Sequence, residues 1–366
     1  MISTMESKFY LGFSRISCIT PRRFALIEKH FPSFEIAWTK GDRTDFLQAG
    51  LDQSCVDEIM KIRKSIDLNR EQYRLERDGV RLLTCHDLEY PRRLKEIHDY
   101  PYLLYVKGEV SLLNRPCVSI VGTRKSTSYG IQVTELLSQI LVANDVVIAS
   151  GAARGIDAMA HQASVKYGGQ TIVVLGTGLD RMYPAEHRRW LQNMTDNNQA
   201  VMISELPYDT ELMPHHFPRR NRIIAGLSAV TIIVEAGEKS GALITAQYAL
   251  DENRDVFAVP GPITSPQSDG TNRLIKDGAI PLTKLEDILE FLGIQMRSMM
   301  VARELPVFSD PCEKKIYELL SSVPLHIDQL ARTLRIPSHQ LGSVLIQMEL
   351  RGVIRDAGGM RFVRGA

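Results

Sequence analysis

Between Val118 and Gly261, short β-branched runs alternate with helical patterns, and this alternation restricts the fold more than any other feature of the chain. Val118–Val121, Val146–Ala149, Thr171–Leu175, Val201–Ser204, Val230–Val234 and Val256–Val259 are apolar over most of their length. A strand covered on both faces reads this way, and such strands belong to parallel sheets packed between helices. Helical spacing fills the gaps, as in Gly130–Leu141 and Ile156–Lys166. The pattern predicts a Rossmann-like α/β fold, a doubly wound and mostly parallel sheet, without fixing strand order. Each run ends in glycine or polar residues, and ligands of such sheets sit beyond the carboxyl ends of the strands.

Those ends do not spell a dinucleotide site. Gly176-Thr177-Gly178 lacks a third glycine and runs into Tyr183-Pro184, and Gly122-Thr123-Arg124 has one glycine. No G-x-x-x-x-G-K-[ST] occurs, which excludes a P-loop at motif level. No cofactor is expected. Anion binding fits better. Gly122 leads to Arg124, Ser126, Thr127 and Ser128 before a helix start, and Ser150-Gly151-Ala152-Ala153-Arg154-Gly155 repeats the device one strand over. Free amides and hydroxyls at a helix start receive phosphate, and a guanidinium adds a charged fork. The alternative is a set of ordinary caps and turn glycines.

A third segment carries the same chemistry. Phe217 is followed by Arg219, Arg220, Asn221 and Arg222, with a short helix read over Ile223–Leu227. The strand Val230–Val234 follows, then Ser240-Gly241 opening a helix through Tyr248. Guanidiniums beside one aromatic ring suit a phosphate-and-base site; a solvated basic face is the plain alternative. Asp157 and His161 share a helix face, a spacing open to acid–base or metal chemistry, but no third ligand accompanies them and no metal is expected. Glu205 and Glu235, at strand ends, are read as partners of Arg220 or Arg222 rather than as bases.

Around this core, residues 1–79 read as a helical module of the helix-hairpin-helix or sterile-alpha-motif kind. Cys18-Ile19-Thr20-Pro21 stands where a DNA-binding hairpin would need glycine, so a packing or partner role is expected. Residues 80–295 hold the sheet, entered through a connector with Pro91, Pro101 and a short strand at Leu103–Val106. After the Met-rich 296–300 stretch and Pro306, residues 306–366 read as a winged helix. Its helices are Ile316–Leu320, Ile327–Leu334 and Leu341–Glu349, and its hairpin joins Val353–Ile354 to Met360–Val363. Eight Lys/Arg against six Asp/Glu leave this end open to DNA or to protein. Over the whole chain 44 basic residues meet 43 acidic ones, so affinity for an acidic polymer must come from a local patch. Five scattered cysteines (Cys18, Cys55, Cys85, Cys117, Cys312), with no C-x-x-C, predict a reduced cytoplasmic protein without structural zinc. Neither a membrane-spanning run nor a signal-peptide core is seen.

Taken in order, S-I-V-G-T-R-K-S-T-S-Y-G (119–130), S-G-A-A-R-G-I-D-A-M-A-H (150–161), V-V-L-G-T-G-L-D-R-M-Y-P (173–184), F-P-R-R-N-R-I-I-A-G-L-S (217–228), V-E-A-G-E-K-S-G-A-L-I-T-A (234–246) and A-V-P-G (258–261) closely resemble the DNA-processing protein A family, also called DprA or Smf. The resemblance spans residues 80–290. It implies a non-catalytic, homodimeric mediator of natural transformation. Such a protein binds and protects single-stranded DNA, displaces single-strand-binding protein and helps load the RecA recombinase. It also implies phosphate contacts from Arg124 and Arg154, near Gly122, Ser126, Ser150 and Gly151, and stacking by Phe217. Arg219, Arg220, Asn221 and Arg222 would line the groove, and Lys239, Ser240, Gly241 and Thr245 would add contacts at a helix start. Many relatives carry a basic residue just before F-P-x-R-N-R, where this chain has Met213-Pro214-His215. The rival reading is a nucleotide-processing enzyme similar to the phosphoribohydrolases, whose P-G-G-x-G-T-x-x-E motif is absent here.

Overall fold

A computed structural model describes residues 4–295, 308, 310–320 and 324–364. The Met-rich 296–300 stretch and Pro306 lie outside the described residues. The chain divides into two compact units, one ending at Arg297 and the other beginning at Ser298.

In the first unit the strands are β1 (Val80–Thr84), β2 (Leu103–Gly108), β3 (Cys117–Val121), β4 (Val147–Ser150), β5 (Thr171–Val174), β6 (Ala200–Ser204), β7 (Val230–Ile233), β8 (Asp255–Ala258) and β9 (Ile280–Pro281). They form one sheet in the order β1-β2-β6-β5-β4-β3-β7-β8-β9. From β6 to β9 across the sheet all pairings are parallel, while β2 lies antiparallel to β6 and to β1. The six β-branched runs are therefore the parallel core, and every residue of β3, β4, β5, β6 and β7 is buried. The connector read over 80–108 is in fact the antiparallel edge of the same sheet. Burial is mixed along β1, and its prolines stand between the two strands.

Chain order creates a switch point. From β3 the chain winds outward through β4 and β5 to β6, then crosses back along the helix His216–Leu227 to β7 on the other side of β3. The connections leaving β3 and β7 diverge, and a crevice opens between them, which is where this class of sheet binds ligands.

Six helices precede the sheet, from Thr4–Ser14 to Leu68–Arg77. Phe13, Phe34, Phe46 and Trp38 form their aromatic core. This helical module packs onto the sheet's edge: Phe24 stacks on Tyr102 with centroids 5.1 Å apart, and Arg74 pairs with Asp209. Packing also brings Cys18 against Cys55, Cα atoms 5.7 Å apart, and the two form a disulfide. The expectation of five reduced cysteines is thus corrected for this pair, whose 37-residue separation gave no sign of proximity in space. Cys85, Cys117 and Cys312 are free thiols.

The second unit has helices Pro311–Leu319, Ile327–Leu334 and Ser338–Leu350, and strands β10 (Leu325–His326), β11 (Ile354–Asp356) and β12 (Arg361–Arg364) in the order β10-β12-β11. Ile316, Leu330, Leu341, Leu345 and Phe362 close its own core. Three helices and a hairpin make the winged helix expected there, with β10 as an added short strand. Among the described residues no helix is long and apolar enough to cross a membrane.

Candidate nucleic-acid interface

A cleft of about 1170 Å³ opens at the switch point. One wall is the segment after β3, Gly122 to Lys125; another is the start of the helix His216–Leu227; a third is Gly237 to Thr245 after β7. Ala153, from the Ser150–Gly155 segment, lines the cleft as well, so the three segments singled out in the sequence meet in one place.

The arginine segment is helical from His216, not from Ile223. Pro218 does not prevent this, because a proline in the first turn removes only an N–H that has no partner inside the helix. Helical geometry then splits the segment in two. Phe217, Arg220, Asn221 and Ile224, at spacings of three and four, face the cleft, while Arg219 and Arg222 face Glu205.

Four cations are exposed here: Arg124, Lys125, Arg154 and Lys239. The Arg124 guanidinium lies 5.9 Å from the centroid of the Phe217 ring. Phe217 is half-buried, and its ring lies over Gly176, where a Cβ would stand 3.0 Å from the Phe217 Cδ1. Arg154 pairs with Glu186.

Two of the expected groove residues are buried instead. Arg220, 8% exposed, donates from Nη1 to the carbonyl of Val174 at 2.5 Å, and its guanidinium lies flat on Gly151, where a Cβ would come within 2.0 Å of Nη1. Burial pulls its pKa down to about 10 against the opposing pull of Asp157, so it remains a cation at neutral pH. Its Nε has no hydrogen-bond partner among the described residues. Arg222, 4% exposed, spans Asp99 at 3.0 Å and Glu205 at 2.7 Å. It holds the helix to the sheet and does not line the groove. Arg219 is half-buried, 3.6 Å from Glu205.

The polar residues sort the same way. Ser150 is buried and donates to the carbonyl of Ile120 at 2.6 Å, which removes it from the surface. Thr245 is 1% exposed at the cleft wall, and Ser126 lies in the loop after β3 but outside the cleft lining. The Ser240 hydroxyl accepts from Ala242 N and caps the helix Gly241–Asp251. Asn221 Nδ2 donates to the Gly241 carbonyl at 3.2 Å, joining the two helix starts.

Glu205 takes Arg222, as expected, and also Arg219, which was not expected. Glu235 does not pair with arginine. Buried at 2% exposure, it accepts from the Thr127 backbone N–H at 2.9 Å and from the Thr127 hydroxyl, fixing the loop after β3. Asp157 likewise accepts from Ala153 N at 3.4 Å, and burial raises its pKa. His161 is wholly buried with Nδ1 2.7 Å from the Thr171 hydroxyl, and burial lowers its pKa to about 3. It is a neutral core histidine. No cluster of three metal-ligating side chains exists among the described residues.

Tyr183 and Lys125 belong to the site and escaped the sequence reading. Tyr183 is 40% exposed, with its ring 5.5 Å from that of Phe217. Its signal was present in the M-Y-P step that closes the 173–184 motif, where no stacking role was assigned to it.

Residues 81–293 match the family model of DNA recombination-mediator protein A, and residues 302–360 match the DprA winged helix domain. The chain belongs to the DNA-processing protein A family. Protein Smf of Escherichia coli K12 is 37% identical over 292 residues, 78% of either chain. DNA processing protein DprA of Bacillus subtilis is 38% identical over 270 residues, 71% of this chain and 90% of its own. The X-ray structure of DprA from Streptococcus pneumoniae superposes with a TM-score of 0.67 at 34% identity, covering 77% of this chain and 97% of that one. That of DNA processing protein A from Helicobacter pylori, described for its single-stranded DNA binding mode, gives 0.52 at 31%, covering 58% and 95%. The two family models cover the sheet of the first unit and most of the second unit.

Proposed function

We propose that this DprA-family chain binds single-stranded DNA in the cleft between β3 and β7. The observation that carries the reading is the placement of three exposed cations without a carboxylate partner among the described residues, Arg124, Lys125 and Lys239, around two aromatic rings, Phe217 and Tyr183, at the carboxyl ends of parallel strands. Phosphates on the cations give a salt-dependent affinity, and ring faces stack on any base. A duplex hides its base faces, so the site favours unpaired strands. The helix start after β7, at Ser240–Ala242, adds a dipole of the right sign. The single-strand-binding relative from Helicobacter pylori supports the same assignment.

The wider proposal is a cytoplasmic, non-catalytic role in natural transformation. The bound strand is protected, single-strand-binding protein is displaced, and RecA recombinase is loaded, with two copies of the chain acting together. The engagement of Glu235 by Thr127 supports it over a phosphoribohydrolase-like activity, since that strand-end glutamate is held by the neighbouring loop. Binding of labelled oligo-dT and of the matching duplex tests the core of the reading. Tight single-strand binding with weak duplex binding is expected. Equal affinities, or hydrolysis of nucleoside monophosphates by the protein, would count against it.

A further inference from the structure

Of the four exposed cations around the cleft, Arg154 alone has a carboxylate partner among the described residues. We propose that Glu186 occupies the position of a strand phosphate on Arg154 in the free protein and is displaced when the strand binds, so that Glu186 sets both affinity and rate of release. The inference rests on the single-strand reading above and names a residue that tunes it.

A carboxylate and a phosphate present the same kind of acceptor to a guanidinium fork, so one can replace the other. Exposure decides whether exchange is possible. The side chains of Arg154 and Glu186 are 58% and 53% exposed, so breaking the pair costs little. Arg222 and Glu205, at 4% and 16%, show the opposite case, a pair too buried to exchange. Arg154 also borders the small pocket that Arg124, Tyr183 and Phe217 share, next to the stacking rings.

Both partners are anchored close to one another. Glu186 lies in the short turn Ala185–His187, and the buried His187 ring has Nδ1 2.9 Å from the carbonyl of Ala152, two residues before Arg154. The turn therefore stays beside Arg154 when the ion pair opens, and Glu186 is in place to recapture the guanidinium as a phosphate departs. Arg154 also holds the Glu186 carboxyl below the usual glutamate range, so the competitor is ionised at neutral pH.

The test is oligo-dT affinity and dissociation rate for wild type, Glu186→Gln, Arg154→Ala and the double variant. Glu186→Gln should bind about two- to five-fold more tightly and release more slowly, as expected for removing an exposed competing pair. In the Arg154→Ala background the same change should have little effect, because the position it contests is gone. Equal tightening in both backgrounds would show a general charge effect and overturn the exchange. So would a Glu186→Gln variant that binds like wild type or more weakly. A wild type that binds no single strand would instead overturn the single-strand reading itself, and this inference with it.

Discussion

Arg220 and Arg222 stand two positions apart and have opposite surroundings. Arg222 is neutralised by Glu205 and Asp99, and its loss leaves Glu205 largely buried without its closest partner. Arg222→Ala should destabilise the fold by about 3 kcal/mol, the scale for breaking a buried pair. Urea unfolding measures this, and a variant of wild-type stability would show that the pair holds nothing. Phe217→Ala should weaken oligo-dT binding by about 1–3 kcal/mol with an unchanged salt slope, because stacking releases no counterions; wild-type affinity would remove the stacking role. His161 links stability to pH. Its pKa falls from 6.5 to about 3 in the folded protein, so the unfolded chain takes up a proton that the folded one refuses. Its contribution is complete above pH 6.5 and declines as pH drops toward 3, by up to about 1.4 kcal/mol per unit. His161→Gln should flatten the dependence between pH 6.5 and 5, and an unaltered slope would assign it to other groups. At this scale residue types were legible in the sequence but burial was not. Whether an arginine meets solvent or Glu205 depends on where its helix begins, and Pro218 concealed the seven residues from His216 to Arg222.

Elements were read best where both faces are buried. Strands β3 to β8 came within about a residue of their bounds because their β-branched runs leave no helical alternative, whereas the two-residue, exposed β9 has no such run and was not read. The strand β1 was missed, since its mixed burial and the prolines beyond it resemble a connector. Glu235 was legible as a strand-end acid but not as the group that fixes a neighbouring loop, because the β3–β7 contact joins residues over a hundred positions apart. That contact predicts a coupled effect. Thr127 caps the helix Ser128–Ala143 and donates to Glu235, so Thr127→Ala should cost about 1 kcal/mol in stability and also weaken strand binding by loosening the loop that carries Arg124. Thr127→Ser should restore both. Loss of stability without loss of binding would separate the cap from the site.

At the scale of the molecule, a near-balanced charge is concentrated where the sheet's topology opens a cleft. Three motifs spread over more than a hundred residues converge there because the chain crosses from β6 back past β3, an event that local pattern does not encode. Phosphate contact by Arg124 is the central claim, and its most direct test is oligo-dT affinity of wild type and Arg124→Ala across a salt series. The account predicts weaker binding by the variant at every salt concentration and a log–log slope shallower by about 0.7, the value for one single-strand phosphate. A variant whose slope equals that of wild type would contradict it.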